Sequence, residues 1–443
     1  MRLKGAARRL KKQVAQDRHP IQRQCYRFGP VLAKYFVDDL DHPYRIGDHT
    51  NFLWIRSRSL AGRTVLWARM TVRMSDLVFK AASRDGYGVD WPISYDDLAS
   101  YYSKVESAWG IFGYPEGWDE VPDGEFVVPP AYTEQELAFK KTIEEQFPER
   151  RVSMMRKVPW YEHQEVSPHE IPGSTSAGSF IRDATRTGRL TIAYNFIVAH
   201  ILLNEAGTQA IGVEVVDRET KQRRAIHGDA VFLGASTLES TRILMNERSD
   251  RWPNGLGNDC GVLGHYLADH LTGPGLMGSA KAPPVPVERG LIEMYTPNWL
   301  PYDTSRDFLR GYQIQTMLGI PTGEPHRTGW SMSCFGEILP RYENRMELDH
   351  TQLDAWGLPT LKFHFQRSEN DVQMGKHALK SMIEIAEATG LDIEQVSEEV
   401  APAGRSVHEV GTARMGHDAN ASVVDAFNRV HGCPNVLVVD GAC

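Results

Sequence analysis

The chain has 443 residues, 41% of them hydrophobic and 24% charged, with 38 Gly and 25 Pro spread along it. That balance predicts a large globular protein of two domains and excludes a disordered or fibrous one. A net charge of -8 supplies no attraction for nucleic acid or anionic lipid, so no nucleic-acid role is expected.

The five cysteines, Cys25, Cys260, Cys334, Cys433 and Cys443, are scattered and odd in number, which argues against a disulfide framework or a zinc cluster. No apolar run approaches the ~20 residues that span a bilayer, and the basic start is not followed by the apolar core of a secretory leader. A cytoplasmic protein with no membrane span is expected. Met1 to Lys12 carries Arg2, Lys4, Arg8, Arg9, Lys11 and Lys12, and reads as a solvated tail or a basic amphipathic helix.

In chain order, Asn51 to Thr64 brings Arg56 and Arg58 beside the small-residue turn Leu60-Ala-Gly-Arg-Thr64, where backbone amides can approach a ligand. Ser94-Tyr-Asp-Asp97 has capping-box spacing and predicts a helix with Leu98, Tyr102, Val105 and Trp109 on its buried face. Strands are predicted over Leu190 to Leu203, Ala210 to Val216 and Ala230 to Leu233, with Asn204 to Gly207 as the first turn. The third runs into Gly234-Ala-Ser236, and Ser236 with Glu239 again has capping-box spacing. Strand, small turn and helix make either a dinucleotide-fold unit, whose helix N-terminus suits a phosphate or a negative flavin, or an ordinary α/β crossover.

Beyond the Pro-rich linker at Ala282 to Pro286, strands are predicted over Tyr312 to Leu318, Ser331 to Leu339 and Leu361 to Phe365. A helix capped by Ser368 and Asp371 follows, with Val372, Gly375, Leu379, Met382 and Ala386 inward and Gly390 ending it. This half reads as an α+β domain on an antiparallel sheet. His265 and His270 are five apart and miss a common helical face, which makes a poor metal pair, so no metal is expected. Near the end, Ser406-Val-His-Glu-Val-Gly-Thr-Ala-Arg-Met-Gly416 sets a histidine ahead of a Gly-Thr turn, and a later apolar strand closes on Asp440-Gly441. A His-x-x-Gly-Thr loop alone is more often a hydrogen-bonded structural histidine.

Together these landmarks resemble the flavin-dependent glucose-methanol-choline (GMC) oxidoreductases, in the family's order from about Arg56 to the end. The turn before Trp67 resembles the flavin loop. Trp91-Pro-Ile-Ser-Tyr95, Tyr101-Tyr102 and Glu106 resemble the helix after it, and Gly234-Ala-Ser-Thr-Leu-Glu-Ser240 with Arg242-Ile-Leu244 is similar to the second signature. Gly336-Glu-Ile-Leu-Pro340, Asn344-Arg345 and Asp354-Ala-Trp-Gly-Leu-Pro359 resemble the carboxy-terminal domain.

The resemblance implies an α/β FAD-binding Rossmann-like domain, incomplete here, with an α+β substrate domain on an antiparallel sheet. The expected division is 1–114 and 176–275 for the FAD-binding domain, 115–175 for a substrate-domain or cap insertion, 276–400 for the substrate domain, and 401–443 for the return. It implies an FAD enzyme that oxidises the CH–OH group of an alcohol, sugar or polyol, as dehydrogenase or oxidase, with His408 taking the hydroxyl proton while hydride passes to flavin N5. A neutral imidazole suits that task. By the same match Gly62, Arg63, Thr64 and Trp67 line the isoalloxazine, Val198 meets the adenine through its backbone, and Asp440 and Gly441 lie near the ribityl and pyrophosphate. A variant of the family carries a flavin-linked histidine where this chain has Leu66, so non-covalent FAD is expected. An electron acceptor or small subunit is left open as a partner, and which substrate is used is not legible.

Two departures qualify this. Met1 to Thr50 contains no Gly-x-Gly-x-x-Gly turn, and the chain stops at Cys443 before the family's second catalytic His or Asn. The alternative expectation is therefore a truncated, inactive family fragment or a non-catalytic binding module.

Overall fold

Helix α1, Tyr95–Trp109, begins as the sequence predicts: the Ser94 and Asp97 side chains form a reciprocal capping box, and Gly110 ends the helix in the left-handed region. The computed structural model describes residues 18–159, 174–286, 289–303 and 305–443; the basic stretch Met1 to Lys12 lies outside the described residues. The expected apolar stripe of α1 is not a core face. Val105 is exposed, and the buried residue is Glu106, whose carboxylate takes two hydrogen bonds from Arg73, from Nε at 2.9 Å and Nη2 at 2.5 Å. A periodicity count cannot see that a charged residue has found its buried counter-ion. Helix α2, Glu134–Gln146, opens on a capping box of Thr133 and Glu136.

The predicted hairpin is present as Phe196–Leu203 and Ala210–Asp217, with Val198 opposite Val215, and Arg223–His227 adds a third strand. The first strand starts later than expected because Asn195 turns the chain at a positive φ. The third was missed because every side chain in it is exposed and leaves no apolar alternation. Next, Val231–Leu233 pairs in parallel with Cys433–Val438, Val231 opposite Val436 and Leu233 opposite Val438. From the end of that first strand the chain enters helix α3, Thr237–Asn246, buried along most of its length. The expected capping box at its start is absent: Ser236 makes no cap, because Glu239 is drawn to Arg58 (2.6 Å) and Arg242 (3.3 Å) instead.

The second half is a six-stranded antiparallel sheet in the order Asp392–Ser397, Gly275–Ala280, Arg327–Gly336, Tyr312–Glu324, Met294–Thr296, Ser153–Met154. Helix α4, Glu369–Ala388, lies on it with the predicted Ser368 and Asp371 capping box in place. Of the expected inward residues Gly375, Met382 and Ala386 are buried, and the buried face extends to one side of them. Met374, Ala378, Met382 and Ile385 are wholly buried, whereas Val372 and Leu379 are only partly so. Arg345–Leu353 and Pro359–His364 pair antiparallel in a separate three-stranded sheet, to which Arg45–Ile46 adds a parallel edge strand.

One stretch, 264–271, stitches the two halves together. Ala268 exchanges backbone hydrogen bonds with Val410, both at 3.0 Å, and Leu271 does the same with Gly336, both at 2.9 Å. The residues between these bridges, Asp269 and His270, are therefore fixed where the parallel strands, the antiparallel sheet and the 404–412 loop converge. Among the described residues no helix is long and apolar enough to cross a membrane.

Candidate functional site

The loop carrying His408 is built by polar anchors. Asp269, buried, accepts hydrogen bonds from Gly404 N (2.7 Å), His408 N (3.2 Å) and Ser406 Oγ. Arg63 Nη1 donates to the Val407 carbonyl at 2.8 Å and to Glu409 at 2.5 Å, while its Nη2 reaches the Ile55 carbonyl at 3.2 Å. At Gly404, φ is +80° and any Cβ would stand 2.1 Å from the Leu53 carbonyl, so only glycine fits. Val407 adopts φ +58°, a conformation that costs a β-branched residue on the order of 1–3 kcal/mol. The surrounding bonds hold that strain beside the histidine.

His408 itself is exposed, yet protein crowds its ring closely enough for burial, and then the neighbouring His270, to pull its pKa down to about 4. At neutral pH it is an uncharged imidazole open to solvent. Its Nδ1 lies 2.9 Å from His270 Nδ1, with the two rings edge to face, and Phe335 of the antiparallel sheet tilts against it at 6.0 Å between centroids. Next to it Glu409 is fully buried, and burial pushes its carboxyl up despite the Arg63 guanidinium at 2.5 Å.

From His408 an apolar floor runs back to the carboxyl ends of the two parallel strands. Val410 and Val439 are nearly half exposed and Phe232 is 65% exposed. Val439 comes within 3.8 Å of where a Gly234 Cβ would stand, and Val410 within 3.4 Å for Gly441. Gly441 is close-packed below, where its own Cβ would meet Thr237 Oγ1 at 2.7 Å. The floor thus has glycine and valine where longer side chains would obstruct a flat ligand, at the end of a parallel sheet where nucleotide cofactors bind. These residues fit a flat aromatic cofactor.

The predicted site residues divide accordingly. Arg63, His408, Asp440 and Gly441 come together: Gly411 N donates to the Gly441 carbonyl at 2.9 Å, linking the histidine loop to the Asp-Gly turn. Arg63 reaches this group only by spending its guanidinium on the loop. Gly62 and Thr64 lie on the same short turn; Thr64 Oγ1 pairs with Ser176 Oγ at 3.1 Å, and among the described residues nothing lies within 4 Å of where a Gly62 Cβ would stand. Trp67 packs tilted against Trp109 at 5.1 Å between centroids, and Trp109 tilted against Phe180 at 4.8 Å, in an aromatic cluster. Val198 stays in its hairpin, and no described hydrogen bond or ring contact ties it to His408. The start of α3, read as a phosphate site, already holds an anion: Asp440 accepts from Ser240 Oγ at 2.5 Å and from the Ser236 amide. A second carboxylate, Glu239, follows in the same turn. That makes a phosphate at this terminus unfavourable.

Sequence reasoning missed Asp269, Glu409 and Phe335, and met His270 only as half of a weak metal pair. His265 turns elsewhere, stacking on Tyr342 and bonding its carbonyl at 2.8 Å. Arg56 and Arg58, noticed beside the flavin-loop turn, join Glu239, Arg242 and Asp354 in a buried charge network, with Arg242 to Asp354 at 2.7 Å.

A parallel-strand unit with an open floor is thus joined to an antiparallel sheet that walls an exposed histidine. Residues 340–443 match the family model described as GMC oxidoreductase. The chain is 25% identical to 2-methyl-1,2-propanediol dehydrogenase of Mycolicibacterium austroafricanum, covering 87% of this chain and 76% of that one. It is 24% identical to the fructose dehydrogenase large subunit of Gluconobacter japonicus (93% and 80% covered) and to paromamine 6'-oxidase of Streptomyces fradiae (94% and 80%). In fold it is similar to formate oxidase of Aspergillus oryzae RIB40, with TM-score 0.59 at 16% identity over 87% of this chain and 80% of that one. An FAD-dependent oxidoreductase of Chaetomium thermophilum gives TM-score 0.58 at 14% identity, over 92% and 85%. Over residues 340–443 the chain is thus similar to GMC oxidoreductases, and over most of its length it is similar to named alcohol and sugar dehydrogenases and oxidases.

Proposed function

We propose that this protein oxidises a CH–OH group of a small alcohol, sugar or polyol, with His408 accepting the hydroxyl proton. The observation that carries the reading is the exposed imidazole at the end of the apolar floor, held uncharged by its surroundings. FAD, when bound, supplies the acceptor for the hydride that leaves the same carbon. The relatives named for a propanediol, for fructose and for paromamine are consistent with a polyhydroxylated substrate. In this reading Val410, Val439 and Gly441 hold the cofactor, and residues 276–400 supply the opposite wall through Phe335. His408 binds and orients the hydroxyl, and Asp269 and Arg63 keep the ring from moving away as it takes the proton. Non-covalent attachment is supported by Leu66, which is buried against Cys25, Phe36, Leu53 and Ile55 and offers no nucleophile.

The test is rapid mixing of FAD-loaded protein with a panel of polyols and sugars. His408→Ala is expected to slow flavin reduction by about 10²–10⁴; unchanged reduction would remove His408 from the reaction. A non-catalytic reading is favoured by one observation: Val231–Leu233 has a partner on one edge only among the described residues, and Phe232 beside it is exposed. A visible spectrum after incubation with FAD and desalting separates the two, because a colourless protein would support the non-catalytic one.

A further inference from the structure

The geometry points to His270 as the positioning residue that selects the tautomer of His408, leaving Nε2 as the nitrogen that receives the proton. This rests on His408 being the base. Two imidazole Nδ1 atoms 2.9 Å apart repel as lone pairs unless one carries hydrogen. If His270 donated, the proton of neutral His408 would stand on Nε2 and block it. If His408 donates, its Nε2 lone pair is free, and a proton arriving there makes an imidazolium whose Nδ1–H still points at a neutral acceptor. Such a charge-assisted bond is stronger than the neutral one it grows from.

The positions of the two rings favour the second arrangement. Arg367 donates to the His270 carbonyl at 3.3 Å, placing a positive charge on the His270 side. Burial lowers the His270 pKa, with Asp269 opposing the shift and Arg367 adding to it, so this ring too is held towards the neutral form that can accept a hydrogen bond at Nδ1. Asp269 is occupied by the loop amides and Ser406, and Glu409 by Arg63, so neither carboxylate bonds either ring. His408 is the more exposed of the two rings and so the one a hydroxyl can reach. His270 therefore acts on the substrate only through His408.

Selective ¹⁵N labelling of histidine in the full chain, with imidazole spectra near pH 7, reads the tautomer without any turnover. His408 is expected as the Nδ1–H form, which an unconstrained imidazole disfavours. In His270→Phe it should revert to Nε2–H, and in His270→Asn, whose amide oxygen can stand near the Nδ1 position, it should stay Nδ1–H. In FAD-loaded protein His270→Phe should slow flavin reduction by about tenfold, the equivalent of roughly one lost hydrogen bond, and His270→Asn should recover most of the loss. An Nε2–H signal for His408 in the unmodified protein overturns the inference, and so does a tautomer unmoved by His270→Phe. If His270→Phe does not fold, the unmodified protein and His270→Asn still decide the question. Because the spectra need no reaction, a failure of the proposed oxidation would show in the His408→Ala kinetics and remain distinguishable.

Discussion

Around His408 the chain is held by polar bonds from Asp269 and Arg63, two distant segments, onto a strained Val407, whereas α4 is held on its sheet by Met374, Ala378, Met382 and Ile385, apolar and wholly buried. The first arrangement fixes the direction of one imidazole at a cost in strain and buried charge. The second is non-directional and supplies stability through apolar area removed from water. The difference locates precision at the loop and cohesion in the helix-on-sheet layer, and substitutions on each side should fail in different ways.

The largest effect is expected at the Arg63 to Glu409 pair. Glu409 has no exposed side-chain surface, and its Oε1 has no hydrogen-bond partner among the described residues. Arg63→Ala leaves a buried carboxylate uncompensated, which should cost about 3–5 kcal/mol, read from denaturant unfolding. Adding Glu409→Gln should return most of that loss, since the charge is removed with its partner. A single substitution costing under about 1 kcal/mol would mean that the pair does not hold the loop.

On the apolar side Met382→Ala removes a wholly buried side chain and should destabilise by about 2–5 kcal/mol. The contrast lies in the second readout: after correction for the fraction folded, flavin reduction should be unchanged here but slowed in Arg63→Ala. Equal losses of rate in both would show that the loop and the helix layer are one mechanical unit.

What the sequence made legible follows the same division. The capping boxes at Ser94 and Ser368 were readable because the chemistry is local, two side chains three residues apart. The order of the family landmarks and the exposed His408 were readable as pattern. Asp269, Glu409 and His270 were not, because their meaning comes from contacts more than a hundred residues away, or from burial beside an arginine that no spacing announces. Ion pairing misled the reading of α1, where Glu106 is buried by Arg73, and of Ser236, whose intended cap partner Glu239 went to Arg58 and Arg242.

A pH series separates loop from layer more finely. With the His408 pKa at about 4, below the ordinary value near 6.5, the unfolded chain takes up a proton between those values while the folded ring does not. This histidine's contribution to stability is fully present above about 6.5 and is lost as pH falls towards 4, whereas the rate constant for flavin reduction should hold across that window. Below about pH 4 the rate should drop roughly tenfold per unit as the base becomes protonated. A rate that already falls from pH 6.5 would show that the ring is not held neutral by its neighbours.

The smallest effect is expected at Val407, and it bears on whether strain is stored beside the base. Glycine adopts φ +58° freely, so Val407→Gly relieves on the order of 1–3 kcal/mol of backbone strain. Against this stand the lost packing of a half-buried valine on the Leu53, Ile55 and Leu66 cluster and the greater freedom of glycine in the unfolded chain, together of similar size. Net stability should therefore move by less than about 1 kcal/mol, while flavin reduction slows several-fold because Arg63 and Asp269 now clamp a looser loop. Destabilisation beyond about 2 kcal/mol would mean that the positive φ is unstrained in this setting, and that the valine side chain, not the backbone conformation, is what the loop depends on.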